Sequence, residues 1–252
     1  MEAFKNINKI ISLFSGAGGM DIGFEMAGFE TVVAVEYDIS CCDTLRKNRP
    51  QLPIIHGDIS KITTAEILRV GGLKPTEAAV VVGGPPCQSF SLAGKRMGMN
   101  DPRGKLVLEF IRVVKESLPK VFVMENVRGM VNWQDGKAIE AIMSEISEPI
   151  YFEGTEYMYK VKKAILNAAD YGVPQYRERV FIIGNRLNKN FEFPEPTHTD
   201  LRGETLNIFG HNKQKIRTVG DAISNLPKAD APSETALRVS ETIKERIIKH
   251  GY

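Results

Sequence analysis

Lys9-Ile10-Ile11-Ser12-Leu13-Phe14-Ser15-Gly16-Ala17-Gly18-Gly19 joins a short apolar run to a turn with three glycines in four positions. The run has the length and composition of a buried strand, and the glycines supply backbone that can turn tightly. Apolar residues then recur at helical spacing from Met20 to Ala27 (Met20, Phe24 and Ala27, with Ile22 and Met26), and Gly28 is a helix stop. Thr31 to Val35 reads as a second strand with Glu36 at its carboxyl end. Ser40 to Asn48 reads as a helix halted before Pro50, and Ile54-Ile55 begins a third strand ending at Gly57-Asp58-Ile59. Strand, glycine turn, helix, strand, acid is the plan of a nucleotide-binding βαβ half. The expected class is α/β, with a mostly parallel sheet and helices on both faces.

The glycine spacing does not suit a dinucleotide. A G-x-G-x-x-G pattern from Gly16 needs glycine at position 21, which is Asp21. Glu36 lies at the distance where a carboxylate accepts from two adjacent ribose hydroxyls, and Tyr37 beside it can lie against an adenine. A ligand with adenosine and no pyrophosphate fits better, and S-adenosylmethionine is such a ligand. The plainer alternatives are a solvated strand-end carboxylate for Glu36 and for Asp58.

Downstream, Ala78-Ala79-Val80-Val81-Val82 reads as another buried strand. It breaks at Gly83-Gly84-Pro85-Pro86-Cys87-Gln88-Ser89-Phe90-Ser91. A free cysteine is usually a small buried hydrophobe. This one stands where open α/β sheets build their sites, before a cationic segment with Lys95, Arg96, Arg103 and Lys105 against the single Asp101. A cationic field favours the thiolate, so Cys87 is read as a nucleophile.

Leu106 to Leu118 is an amphipathic helix (Leu106, Phe110, Val113, Val114 and Ser117 on one side). It leads to the strand Val121-Phe122-Val123-Met124, closed by Glu125-Asn126-Val127. One βαβ unit separates this strand from the Cys87 strand, which makes them neighbours and puts a carboxyl beside a thiol. A carboxyl just past four apolar residues suits a general acid; the alternative is a structural cap of the next turn. Gly136 to Ile146 reads as a helix and Glu156 to Val161 as a strand. Arg177 and Arg179 alternate at the start of the strand Val180 to Gly184 and so point the same way, toward an anion or a base carbonyl, or simply into surface ion pairs. Thr218 to Leu226 and Val239 to Lys249 read as two last helices.

Over 252 residues the formal net charge is +2, so any nucleic-acid footprint is local, as after Cys87. Three cysteines, with Cys41 and Cys42 adjacent, make neither a disulfide framework nor a metal-ligand spacing; no metal and a cytoplasmic location are expected. No apolar run reaches the roughly 18 residues of a membrane span. The chain divides into a cofactor-binding and catalytic part, residues 1–186, and an extension, residues 187–252.

The Phe14 to Gly19 turn, the Glu36 strand end, Gly57-Asp58-Ile59, Pro86-Cys87-Gln88, Glu125-Asn126-Val127 and Gln175-Tyr176-Arg177-Glu178-Arg179 together resemble the cytosine-C5 methyltransferase family, in that family's order. Thr218-Val219-Gly220-Asp221-Ala222-Ile223 resembles the lead-in that many bacterial members carry before a target-recognition region. Ser12 departs from the pattern, since many members have Asp there. The resemblance implies a Rossmann-like methyltransferase fold. Its cofactor would be S-adenosylmethionine, held by Phe14, Gly16, Gly18, Glu36, Tyr37, Asp58, Ile59, Pro85 and Leu106. The substrate would be double-stranded DNA, within a restriction-modification system. Cys87 would add to carbon 6 of a flipped cytosine, Glu125 would serve the ring nitrogen, and Arg179, with Arg177 nearby, would hold the base carbonyl. Pro86, Gln88, Ser91 and Asn126 would shape the base pocket and meet the DNA. The target-recognition region, an Arg-Glu-containing helix and a closing Gly-Asn stretch find no match in the sequence, so either a complementing chain or a further C-terminal part carrying them is expected. The alternatives are a tRNA cytosine-5 methyltransferase, which shares the Pro-Cys-Gln stretch, and a cofactor-binding regulatory subunit without activity of its own.

Overall fold

The computed structural model describes residues 8–86, 105–132, 136–199, 213–226 and 233–250. Strands and helices alternate through the first two thirds of the chain. The strands are β1 (Lys9–Leu13), β2 (Glu30–Glu36), β3 (Ile54–His56), β4 (Val80–Gly83) and β5 (Val121–Val127). A small hairpin, β6 (Ile150–Phe152) and β7 (Thr155–Tyr157), precedes β8 (Lys160–Asn167) and β9 (Glu178–Asn185). The main sheet has seven strands in the order β3-β2-β1-β4-β5-β9-β8. β1 to β5 pair in parallel, whereas β9 runs antiparallel to both β5 and β8. This is the Rossmann-like, mostly parallel arrangement expected from the sequence, with β4 and β5 adjacent.

The helices are α1 (Gly19–Met26), α2 (Ile39–Asn48), α3 (Thr64–Val70), α4 (Lys105–Ser117) and α5 (Lys137–Ser147). Alternation along each strand sends successive residues to opposite faces. Ile11 and Leu13 of β1 join the larger core with Phe110, Val113 and Val114 of α4 and Ile139, Ile142 and Ile146 of α5. Ile10 faces the other way, into a smaller cluster with Val80, Val82 and Val123, capped by Met20 and Phe24 of α1. Each large side chain fully buried in this way contributes about 1.5–3 kcal/mol.

Several elements differ from the sequence reading, two of them instructively. The single strand over residues 156–161 is broken into β7 and β8 because Tyr159 turns inward; it is buried and its hydroxyl donates to the Pro119 carbonyl at 2.6 Å. The last helix, α7 (Glu234–His250), begins well before Val239, after Ser233, whose Oγ accepts from Ala236 N at 3.1 Å. Before it comes α6 (Val219–Ile223), started by a reciprocal capping box between Thr218 and Asp221. A two-residue parallel pair, β10 (His198–Thr199) with β11 (Gln214–Lys215), lies apart from the main sheet. Among the described residues no helix is long and apolar enough to cross a membrane.

Core packing gives a direct test of the register between β5 and β9. Gly184 stands opposite Phe122, and a Cβ there would lie 2.1 Å from the ring's Cε1 and 2.5 Å from Cζ. That ring is held edge-on by Phe110 and Tyr159, with centroids 6.3 Å and 5.4 Å away. Gly184→Ala should therefore destabilise the fold by about 1–3 kcal/mol through overpacking, read from the urea unfolding midpoint. An unchanged midpoint would show that the ring is free to move aside.

Candidate active site

Consecutive strands diverge at β1 and β4, where the chain order reverses from β3-β2-β1 to β4-β5. Open α/β sheets bind ligands at the carboxyl ends of such a pair. Here the ends open into a cavity of about 480 Å³, lined by Phe14, Glu36, Tyr37, Asp58, Ile59, Pro86 and Leu106 among others. Phe14 takes a left-handed backbone conformation, φ 54°, at the point where the chain leaves β1. Strain of that kind in a non-glycine residue concentrates at binding sites.

The Glu36 carboxylate is fixed before any ligand arrives. Its Oε2 accepts from Gly16 N at 2.7 Å, and Oε1 accepts from Tyr37 N and Asp38 N, both at 2.8 Å. The glycine turn is thereby tied to the end of β2. An ionised carboxylate has about four acceptor sites, so capacity for a hydroxyl remains. Asp58 accepts from Ser60 Oγ at 2.8 Å and from Ser60 N at 3.0 Å, and these bonds hold its carboxyl below the usual aspartate range. The Ile59 turn is braced from behind by Arg112, whose Nη2 donates to the carbonyls of Ile59 at 3.1 Å and Ile62 at 3.0 Å.

These residues fit an adenosine-bearing ligand. Ionised acceptors at two adjacent strand ends can meet ribose hydroxyls and an exocyclic amine, and Phe14, Ile59, Pro86 and Leu106 give the apolar walls a flat ring requires. Three residues expected at the cofactor are not among those that line the cavity. Gly16 acts through its N–H on Glu36, and Gly18 faces Leu45 and Asp21. Pro85 is buried, and its carbonyl accepts from Asn126 Nδ2 at 3.1 Å. Pro86, expected at the base, is also part of the cavity wall.

The second half of the site sits one strand further on. Glu125, near the carboxyl end of β5, accepts from Arg179 Nε at 2.9 Å, and Arg177 Nη2 lies 3.8 Å from the same oxygen. The two arginines do point the same way, as the strand alternation predicts. The Glu125 side chain is 20% exposed, so it is largely withdrawn from water but ion-paired rather than isolated. A Cβ at Gly84 would lie 3.2 Å from Glu125 Oε2, which puts the carboxylate over the turn leaving β4. Asn126 is buried, its Oδ1 accepting from Val127 N at 2.8 Å while Nδ2 holds Pro85. It thereby links the ends of β4 and β5. Cys87, Gln88 and Ser91 lie outside the described residues.

One acid was not marked as a site residue from the sequence. Asp21 is buried in α1, and its Oδ2 has no hydrogen-bond partner among the described residues. Burial pushes its carboxyl above the ordinary range, against the opposing pull of a Ser12 hydrogen bond and of Arg49. The position where the family pattern has Asp thus holds a serine with an acid beside it. Among the described residues no group of three or more His, Cys, Asp or Glu is placed to hold a metal ion.

The model of the C-5 cytosine-specific DNA methylase family matches residues 8–250. The chain belongs to this family. S-adenosylmethionine is the methyl donor of C-5 cytosine methyltransferases, in keeping with the cavity described above. The type II methyltransferase M.AquIA of Picosynechococcus sp. is 64% identical over 245 residues, covering 97% of this chain and 99% of the relative. M1.HphI of Haemophilus parahaemolyticus, also a type II methyltransferase, is 42% identical over 88% of this chain but only 53% of its own length. The chain therefore spans nearly the whole of the first relative and about half of the second. A solved Escherichia coli prophage protein, described as a DNA modification methyltransferase, matches with a TM-score of 0.66 and 28% identity. That match covers 88% of this chain and 56% of that one.

Proposed function

We propose that this chain is the catalytic part of a two-chain, cytoplasmic DNA (cytosine-5) methyltransferase of a restriction-modification system, with Cys87 as covalent nucleophile. The observation that carries the reading is the Glu125 carboxylate, paired with Arg179 at 2.9 Å and hung over the Gly84 turn that runs into Cys87. A pure binding module has no use for that arrangement.

Phe14, Glu36, Tyr37, Asp58, Ile59 and Leu106 hold S-adenosylmethionine, which supplies an electrophilic methyl group when bound. Carbon 5 of cytosine is too weak a nucleophile to take it unaided. The Cys87 thiolate adds to carbon 6, forming an S–C bond and pushing the ring electrons toward carbon 5. Glu125 protonates the ring nitrogen so that negative charge does not accumulate there, and Arg179 holds the base carbonyl. Carbon 5 takes the methyl group with the demethylated thioether as leaving group. The carbon 5 proton then passes to water, the thiolate is expelled, and the ring nitrogen returns its proton to Glu125, which restores the ring. Pro86 and Asn126 shape the base pocket, and Gln88 and Ser91 meet the DNA. The two-chain reading is supported by the match to M.AquIA, a relative of the same short extent, beside others about twice as long. It is also supported by α6 and α7, whose described side chains are all exposed.

The test is transfer of labelled methyl to duplex DNA and to tRNA, by the chain alone and co-expressed with a chain carrying the segments expected to be missing. The expected result is sequence-specific labelling of DNA cytosine only in the co-expressed preparation. Ordinary-rate methylation of one short DNA sequence by the chain alone would overturn the two-chain reading, and labelling of tRNA instead of DNA would overturn the substrate. Glu36→Ala should weaken S-adenosylmethionine binding by about 1.5–3 kcal/mol, the worth of hydrogen bonds to a charged group. Calorimetry showing unchanged affinity would remove Glu36 from the cofactor site.

A further inference from the structure

The segment between β8 and β9 carries Arg177 and delivers Arg179 to the sheet, and it is pinned where it leaves and where it returns. Asn167 Oδ1 accepts from Ala169 N at 3.3 Å and from Arg177 N at 3.0 Å, and Ala168 N donates to the Arg177 carbonyl at 3.0 Å. At its tip Gly172 has φ 87°, and His198 is seated against its bare backbone. A Cβ at Gly172 would lie 2.6 Å from the imidazole Cε1 and 3.0 Å from Nε2.

His198 belongs to a strap that crosses this loop. The Tyr171 hydroxyl donates to the Pro194 carbonyl at 2.8 Å, Thr197 N donates to the Asp170 carbonyl at 2.9 Å, and Thr197 Oγ1 bonds His198 Nδ1 at 2.9 Å. On its far side the strap is tied to the segment leading into α6, with Gln214 N on the Thr197 carbonyl at 2.9 Å and Ile216 N on the Thr199 carbonyl at 3.1 Å. His198 and Gly172 are only partly buried, so this contact adds little to the core. What it fixes is the conformation of a loop whose end sets two guanidiniums on one carboxylate.

We infer that His198 is a positioning residue: seated on Gly172, it holds the β8–β9 loop so that Arg177 and Arg179 meet Glu125. The inference rests on the reading above in which that cluster acts on the base. Displacing a reacting group by about 1 Å costs about 10²-fold in rate, so a loop that relaxes by that much is costly without unfolding anything.

The experiment uses the catalytically competent preparation, with any partner chain present, and the variants His198→Ala, His198→Asn, Arg179→Ala and the double variant His198→Ala/Arg179→Ala. His198→Ala should lower kcat by about tenfold to 10²-fold, within the range for misplaced groups, with S-adenosylmethionine affinity unchanged. His198→Asn, which keeps a polar atom for Thr197, should recover part of the loss. In the Arg179→Ala background the same change should cost far less, because the nearer of the two groups it positions is gone. Losses that add in the double variant would overturn the inference. A second readout needs no turnover: the Arg179 Nε–H resonance, identified by its loss in Arg179→Lys, should shift and exchange faster in His198→Ala. If it stays in place, His198 does not position Arg179. A parent preparation without transfer to DNA would count against the proposed function alone, and the resonance would still decide the positioning role.

Discussion

Cys87→Ala should abolish methyl transfer and leave S-adenosylmethionine binding nearly intact. The loss expected on removing a covalent nucleophile is large, on the order of 10⁶-fold in a well-dissected serine protease. β4 is buried along its length and in register with Leu13 of β1 and Met124 of β5 at Gly83. Its carboxyl end opens directly onto the cavity, where Gly84 and Pro86 form part of the wall. Cys87 is the next residue in the chain, and Lys95, Arg96, Arg103 and Lys105 follow it against one acid. That cationic run favours the thiolate over the thiol. In the proposed assignment most cofactor contacts come from the ends of β1, β2 and β3, with Leu106 of α4, so the substitution should scarcely touch its affinity. DNA carrying 5-fluorocytosine gives the sharper measurement. Fluorine at carbon 5 blocks the final proton loss, so the enzyme stays attached to the base. An adduct that still forms with Cys87→Ala would show that another group attacks carbon 6.

The fold was legible where pattern and chemistry agreed. β1, α1, β2 and α2 follow from an apolar run, a glycine turn, helical spacing and a strand-end acid, and their observed bounds differ from the expected ones by a residue or so. The α4 face was readable because Phe110, Val113, Val114 and Ser117 recur at helical spacing, and all four are buried. α3 was missed. At seven residues it offers too short a window for periodicity, yet Thr63 and Glu66 carry the spacing of a capping box, and Thr63 Oγ1 accepts from Glu66 N at 3.2 Å. The break before β8 was invisible because Tyr159 looks like a strand residue. Only its bond to Pro119, forty positions earlier, turns it inward.

That the candidate residues at strand ends would be neighbours was readable because topology places strand ends together. What the sequence did not show is how they are held. Glu36 looked like a carboxylate waiting for hydroxyls; three backbone N–H groups already orient it. Pro85 and Pro86 could not be told apart by type, and only the Asn126 bond decides which of them turns inward. Arg112 bonds Ile59 and Ile62 from fifty or so residues away, and nothing local announces it. Asp21 was visible as the residue that spoils a dinucleotide motif. Its burial depends on the packing of α1 against the sheet, which local sequence does not specify.

Glu125→Gln should reduce methyl transfer by about 10²–10⁴-fold, the usual worth of general acid–base catalysis. The substitution keeps the shape of the side chain and an acceptor oxygen, but it removes the group that can carry a proton to the ring nitrogen. It also removes the negative partner of Arg179 and Arg177, at side chains only 24% and 48% exposed. Two consequences can then be separated. If the pair served mainly to hold the fold together, the loss should appear as a lowered unfolding midpoint, because a partly withdrawn guanidinium loses its counter-charge. If Glu125 acts on the base, kcat falls while the midpoint and S-adenosylmethionine affinity hold. The second outcome is expected, since β5 is anchored independently by its pairing with β4 and β9 and by the burial of Phe122 and Met124. Arg179→Lys should fall in the same direction but less far. An ammonium keeps the charge beside Glu125 while losing the planar donor fork that suits a carboxylate and a base carbonyl together. Glu125→Gln turning over within about threefold of the parent, far short of the acid–base range, would take Glu125 out of the chemistry.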